Sequence, residues 1–195
     1  MSNKSLSNSQ SLTKTNRWIS SLNEFKVLRN VVFCGMMAAI ALVLGFFTTI
    51  NIGNYIRIGF SGLPNQVVDY LFGPAIGAIF GAALDVLKWF IKPSGDFFPG
   101  FTISAALGGI IYGFAFYKKP VSLKRIIVAE TIVKVFVNIC LNSIWLKMLY
   151  NQAIIAMIGG RILKNAVMLP IDVFITFTLL SVVEKTIKPR LQNGI

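Results

Sequence analysis

Apolar and polar positions along this chain fall in long blocks, not in residue-by-residue alternation. Residues 1–28 are polar, rich in Ser, Asn and Lys, and an apolar run then covers Val31–Ile50. Asn51–Ile58 reads as a Gly- and Asn-containing turn segment. A shorter, less apolar stretch from Gly59 to Phe72 follows, punctuated by Gly73 and Pro74. Further apolar blocks cover Ala75–Ile91, Phe101–Tyr117, Ile126–Tyr150 and Arg161–Val183, and Glu184–Ile195 is a polar tail. Several blocks reach or approach the roughly 20 residues that cross a hydrocarbon core. In lipid, backbone N–H and C=O groups must be satisfied within helices or a closed barrel. A barrel needs short alternating segments, and these blocks are long and unbroken. The pattern predicts an all-α membrane protein, a six-transmembrane-helix bundle whose second helix is short.

Composition supports this. Hydrophobic residues make up 55% of the 195 and charged residues 13%, about half the roughly 25% of soluble domains. The first apolar block is too long and too late for a simple cleaved signal peptide. The net charge of +12 would suggest nucleic acid in a soluble chain. Here much of it flanks apolar blocks, where it orients helices in a membrane, so no nucleic-acid partner is expected. The chain has no histidine, which rules out a His-ligated metal or a Ser–His–Asp triad. It has no Walker-type phosphate loop, so no ATP site of its own. Cys34 and Cys140 both lie inside apolar blocks, unlike the cysteines of a small secreted disulfide scaffold. No cofactor, metal or catalytic activity is expected.

Charge also orients the bundle. With six crossings both termini share a side. That side carries Lys4, Lys14, Arg17, Lys26, Arg29, Lys118, Lys119, Lys124, Arg125, Lys185, Lys188 and Arg190, twelve of the nineteen cations. The positive-inside rule makes it the cytoplasm. The expected organisation is a cytoplasmic N-terminal segment over 1–28, a six-helix transmembrane domain over 29–187, and a cytoplasmic tail over 188–195.

Seven cations remain: Arg57, Lys88, Lys92, Lys134, Lys147, Arg161 and Lys164. In this topology most lie at or near the external helix ends, against the orientation rule. Snorkelling accounts for any one of them, but not readily for a group drawn from separate segments to one depth. Their spacing adds to the case. Asp85, Lys88 and Trp89 share a helical face, as do Lys134, Asn138 and Asn142, and as do Arg161, Lys164 and Asn165. Polar residues in membrane helices usually face the bundle interior, so the three stripes are expected to converge on one pocket. Trp89, Phe97, Phe98, Phe101 and Trp145 supply flat apolar surface, either there or in an interfacial belt. A cationic pocket with amides and aromatic plates suits a ligand that is anionic at one end and a flat heterocycle at the other. On the first helix, Gly35 and Ala39, repeated by Ala41 and Gly45, make small-residue faces for close helix approach, to a partner or within the bundle.

With these residues in view, the chain resembles a known family. Arg57–Pro64 (RIGFSGLP) and Leu71–Ala78 (LFGPAIGA), with the Gly-rich helix running to Asp85, resemble segments of the S components of energy-coupling factor (ECF) vitamin transporters. Pro93–Thr102 (PSGDFFPGFT), Ser104–Leu107 (SAAL) and Arg161–Asn165 (RILKN) are similar to the folate-specific branch. The resemblance spans about residues 30–185. It implies a six-helix binding subunit in a bacterial plasma membrane that captures its vitamin at the extracellular side. It further implies a membrane-embedded coupling subunit and two cytoplasmic ATPases as partners, with the binding subunit toppling to carry the ligand inward. The family's coupling contact is an Ala-x-x-x-Ala-type motif on the first helix, matched here by Gly35 and Ala39 beside Ala38.

Folate carries a flat pterin, an aminobenzoate ring and a glutamate with two carboxylates. Asp85, Asn138 or Asn142 is expected to read the pterin edge, and Arg57, Lys88, Arg161 or Lys164 to hold the carboxylates. Trp89, Phe98 and Phe101 are expected to pack on the rings, with Asn51–Ile58 and Lys92–Gly100 as lids. Lys134 and Asn165 complete the expected site. The rival readings are the same fold with riboflavin or pantothenate as ligand, a small membrane enzyme or channel, and an inert scaffold.

Overall fold

The computed structural model describes residues 17–47, 50–52, 56–58, 60–91, 97–150 and 154–192. A short helix α1 (17–24) precedes α2 (Leu28–Phe47), strands β1 (Ile50–Ile52) and β2 (Ile56–Ile58), α3 (Leu63–Phe72), α4 (Pro74–Ile91) and α5 (Pro99–Phe116). Helix α6 (Leu123–Ile132) runs on through a π segment (Val133–Leu141) into α7 (Asn142–Tyr150), and α8 (Ile154–Gln192) closes the chain. Counting α6, the π segment and α7 as one, six helical segments follow α1, and α3 is the short one, as the sequence predicts. Five of them are long and apolar enough to cross a membrane. At 1.5 Å per residue the 18 residues of α4 span about 27 Å, close to a hydrocarbon core. Each long segment turns large apolar side chains outward, among them Met36, Phe90, Ile103, Phe136 and Phe174, the surface that lipid covers.

Three differences from the sequence reading have clear causes. Asn51–Ile58 is not only a turn: Ile50–Ile52 pairs antiparallel with Ile56–Ile58, setting Asn51 opposite Arg57. Isoleucine at every second position suits a pleated ribbon. The polar tail is helical as far as Gln192, with Glu184 accepting the Val121 N–H at 3.2 Å and so tying α8 to the α5–α6 connection. Helix α8 also begins earlier than Arg161, at Ile154. Residues 1–16, 48–49, 53–55, 59, 92–96, 151–153 and 193–195 lie outside the described residues, and with them most of the expected Lys92–Gly100 lid.

Helix α3 is the hub. Val67 and Tyr70 join a cluster with Tyr112, Phe116, Ile126, Val133, Val173 and Leu180. Val68 and Phe72, on another side of α3, join Cys34, Ala41, Ile76, Phe80 and Leu84. The α3–α4 junction is sharp because Gly73 takes φ +89°, where a side chain is strained. Ser21 of α1 completes that junction. Its Oγ donates to the Phe72 carbonyl at 2.6 Å and accepts from the Ala75 and Ile76 N–H groups at 3.2 Å. One hydroxyl thus satisfies groups that both helix termini would otherwise leave open.

Helices α4 and α5 approach backbone to backbone through glycines. A Cβ on Gly109 would collide with the Gly77 backbone, one on Gly113 with Pro74, and one on Gly77 with the buried Asp69 carboxylate. The neighbouring Gly108 has nothing within 4 Å of such a Cβ. Gly109→Ala is therefore expected to destabilise the bundle by about 1–3 kcal/mol through overpacking, while Gly108→Ala leaves stability unchanged or raises it. Thermal unfolding of the two variants in detergent checks the contrast between adjacent residues.

Candidate ligand-binding cavity

A cavity of about 370 Å³ lies within the bundle, inside the range of small-molecule sites. Its small-residue wall comes from the α4–α5 seam, where Gly81, Ala105 and Gly108 leave the space unfilled. One end is lined by Phe60–Leu63, Asp85, Lys88, Phe101, Ser104 and Asn142. These belong to the start of α3, the last part of α4, the start of α5 and the start of α7. The other end is formed by Gln66, Tyr112, Glu130 and Thr176, with Lys134 and Asp172 beside them.

The inner end is a closed hydrogen-bond network. Glu130 Oε1 accepts Gln66 Nε2–H at 2.7 Å, and Glu130 Oε2 accepts the Tyr112 hydroxyl at 2.9 Å. The Thr176 hydroxyl lies 2.7 Å from Gln66 Oε1, which fixes the orientation of the Gln66 amide. Glu130, Gln66 and Thr176 are all buried, and a buried carboxylate is tolerable only with such donors. Beside it, Lys134 Nζ and Asp172 Oδ2 pair at 2.5 Å, with side chains 7% and 26% exposed. At the other end Lys88 donates to Ser61 Oγ at 3.1 Å, Thr102 donates to Asp85 Oδ2 at 2.8 Å, and Trp145 Nε1–H donates to Ser104 Oγ at 3.0 Å.

Of the residues singled out from the sequence, Asp85, Lys88, Phe101, Lys134, Asn138 and Asn142 line this one cavity. Trp89 does not; its ring packs against Phe90 and Phe97. Phe98 sits behind the lining, its ring centroid 6.1 Å from Phe101 and 5.7 Å from Trp145. Lys164 and Asn165 are not in the lining, and α8 sends in Asp172 and Thr176 instead. The side chains of Arg57 and Arg161 lie outside the described residues. Among the described lining residues the charged groups are Asp85, Glu130 and Asp172 with Lys88 and Lys134, so the two cations there lie among carboxylates. An amine in low dielectric needs a counter-charge, and Asp172 supplies it for Lys134.

Asn65, Gln66, Ser104, Tyr112, Glu130, Asp172 and Thr176 were missed. A signal existed for two of them. Glu130 precedes Lys134 by four residues and extends its stripe, and Asp172 is an acid inside an apolar block. The π segment explains why the whole stripe stays on the cavity. Over the twelve residues from Glu130 to Asn142, a straight α-helix rotates by a net angle of roughly 120°. Rings closed i→i+5 turn less per residue and take up that rotation, so both ends of the stripe face the same space.

The small-residue pair on α2 faces away from the bundle. Gly35 and Ala39 are exposed, and a Cβ on Gly35 would meet nothing within 4 Å. Ala38 is half-buried and packs against the core cluster of α2, α3 and α4.

Comparison with known proteins gives a consistent result. Residues 29–180 match the family of ECF transporter substrate-specific components. A folate transporter, FolT, from Clostridium novyi is 37% identical over 160 residues, covering 82% of this chain and 92% of that protein. FolT of Leuconostoc mesenteroides is 35% identical over 159 residues, covering 78% and 85%. The crystal structure of FolT bound with folic acid superposes with a TM-score of 0.72 at 31% identity, covering 78% of this chain and 93% of that one.

The Lys134–Asp172 pair makes a test of the inner end. Lys134→Met alone, which strands Asp172, is expected to cost roughly 3–5 kcal/mol. Lys134→Met with Asp172→Leu is expected to recover most of it. Unfolding of the single and double variants in micelles reads the difference.

Proposed function

The chain belongs to the family of ECF transporter substrate-specific components, and on that premise we propose that it is the folate-binding subunit of such a transporter. The likeness to FolT bound with folic acid, over 78% of this chain and 93% of that one, carries this reading. The chemistry of the lining agrees with it. Folate has a flat bicyclic head, an aminobenzoate ring and an anionic tail. The cavity offers Phe101 as an apolar face, carboxamides and carboxylates as acceptors for the head, and Lys88 as a cation for the tail. Arg57, Arg161 and Lys164 remain further candidates for the tail carboxylates, and Trp89 and Phe98 support the aromatic wall.

In this reading the ligand enters from the extracellular side, where Lys88, Phe101 and Asn142 lie, and both termini are cytoplasmic. Energy comes from elsewhere. A membrane-embedded coupling subunit and two cytoplasmic ATPases complete the transporter, and the chain itself catalyses nothing. The outward-facing Gly35 and Ala39 give α2 a flat surface on which another membrane helix can seat. The side of α2 marked by Ala38 serves this bundle's own packing.

Two measurements test this. Titration of the detergent-solubilised chain is expected to give saturable binding of folic acid and none of riboflavin or pantothenate. Lys88→Ala should weaken folic acid by roughly ten- to a hundredfold, the worth of a charge-assisted hydrogen bond. Saturable riboflavin or pantothenate binding in place of folic acid sinks the assignment. Separately, Gly35→Leu is expected to abolish co-purification with the coupling subunit while folic acid affinity stays within about twofold, because no described side chain of α2 lines the cavity.

A further inference from the structure

The end of the bundle that carries α1 holds a group of cations that the ligand cavity does not use. Lys118 and Lys119 lie in the connection between α5 and α6, Arg125 in the first turn of α6, and Arg17 at the start of α1. Three of these side chains are held by the fold. Lys119 Nζ donates to the Phe114 carbonyl at 2.8 Å, and Arg125 Nη1 donates to the Pro120 carbonyl at 3.2 Å. Lys118 Nζ donates to Ser20 Oγ at 2.5 Å and lies 5.1 Å from the centroid of the Tyr117 ring. The Trp18 ring packs edge-on to Phe114, which brings Arg17 to the same corner. Lys118 also takes φ +54°, a left-handed conformation that is unfavourable for a residue with a Cβ.

All of these partners are neutral oxygens or rings. The carboxylates described at this end are turned to other groups: Glu24 accepts Asn30 Nδ2–H at 2.9 Å, and Glu184 accepts the Val121 N–H at 3.2 Å. The cations therefore act on one another. Burial, and then the charges of Arg17 and Arg125, hold the Lys119 amine below the ordinary lysine range. Like charges gathered without a counter-charge repel, and an anion seated among them relieves that repulsion.

The neighbouring surface narrows the kind of anion. Ile19 and Leu22 on α1 are exposed, as are Leu123 and Ile127 on α6. Their spacings of three and four put each pair on one helix face. The two helices that carry Arg17 and Arg125 thus also present apolar faces. Cations joined to apolar surface suit the boundary between lipid headgroups and acyl chains, and a small soluble anion has no use for the apolar part.

We propose that Arg17, Lys118, Lys119 and Arg125 form a site for the phosphate of an anionic phospholipid, whose acyl chains lie against α1 and α6. In the topology proposed above, the lipid belongs to the cytoplasmic leaflet. A phosphate held there bridges α1 to the α5–α6 connection. None of the four residues lines the ligand cavity, so the site stands or falls independently of the folate reading.

Native mass spectrometry of the full chain in detergent, titrated with phosphatidylglycerol or with phosphatidylcholine of the same acyl chains, reads the site. One phosphatidylglycerol is expected to bind about tenfold or more tightly than phosphatidylcholine. Lys119→Gln with Arg125→Gln should remove that preference. Lys119→Arg with Arg125→Lys keeps both charges and should keep it. Lys26→Gln with Arg29→Gln removes two cations beyond the other end of α1, and it should keep the preference too. Arg17→Gln with Lys118→Gln gives a second route should the first pair fail to fold. Equal retention of the two lipids by the unsubstituted chain overturns the proposal. So does an equal loss at Lys26 and Arg29, which would mark general attraction to net charge. Displacement of phosphatidylglycerol by an equal concentration of inorganic phosphate also overturns it, since the site would then serve free anions.

Discussion

Helices α4 and α5 touch through their backbones, and the remaining architecture is arranged around that contact. With no hydrophobic drive between helices in lipid, close approach of small residues is what holds them together. Gly77, Gly109 and Gly113 permit the approach, and Gly73 bends the chain sharply from α3 into α4. The same economy of side chains at Gly81, Ala105 and Gly108 leaves space on the cavity side of the seam. Tight packing and the cavity therefore share a cause: α4 and α5 are too poor in side chains to fill the room between themselves and α6–α8.

That room is polar, inside a protein whose outer surface is apolar. The bundle resolves this by pairing polar groups with one another. Glu130, Gln66, Tyr112 and Thr176 close a network from four helices, and Lys134 meets Asp172 across the π segment and α8. Such networks are tolerated in low dielectric only when nearly complete. The inner end approaches that completeness, with the carboxylate of Glu130 and the amide of Gln66 both engaged.

Helix α1 and the α2 surface show how the bundle is bounded. Ser21 closes the α3–α4 junction, and Trp18 packs edge-on to Phe114, which fastens α1 to the ends of α3, α4 and α5. Helix α2 is fastened on one side alone: Cys34 and Ala41 face the core, while Gly35, Met36, Ala39 and Ile40 face outward.

The apolar blocks alone were enough to determine that the chain is a helical bundle with a short second helix, because block length against membrane thickness is a local property. The stripe Lys134, Asn138 and Asn142, and the pair Asp85 and Lys88, were legible for the same reason: spacing of four or three marks one face of any helix. Tertiary structure alone decided which stripes meet. Trp89 shares a helical face with Lys88 yet packs outside the lining, and Lys164 and Asn165 gave way to Asp172 and Thr176 further along α8. The pairing of charges was also hidden, because counter-charges come from helices distant in sequence, as Asp172 does for Lys134. The π segment was invisible for a related reason. Its wider turn is stabilised by what the helix packs against, and the polar repeat of four from Glu130 to Asn142 also fits one face of an ordinary α-helix over its short stretches.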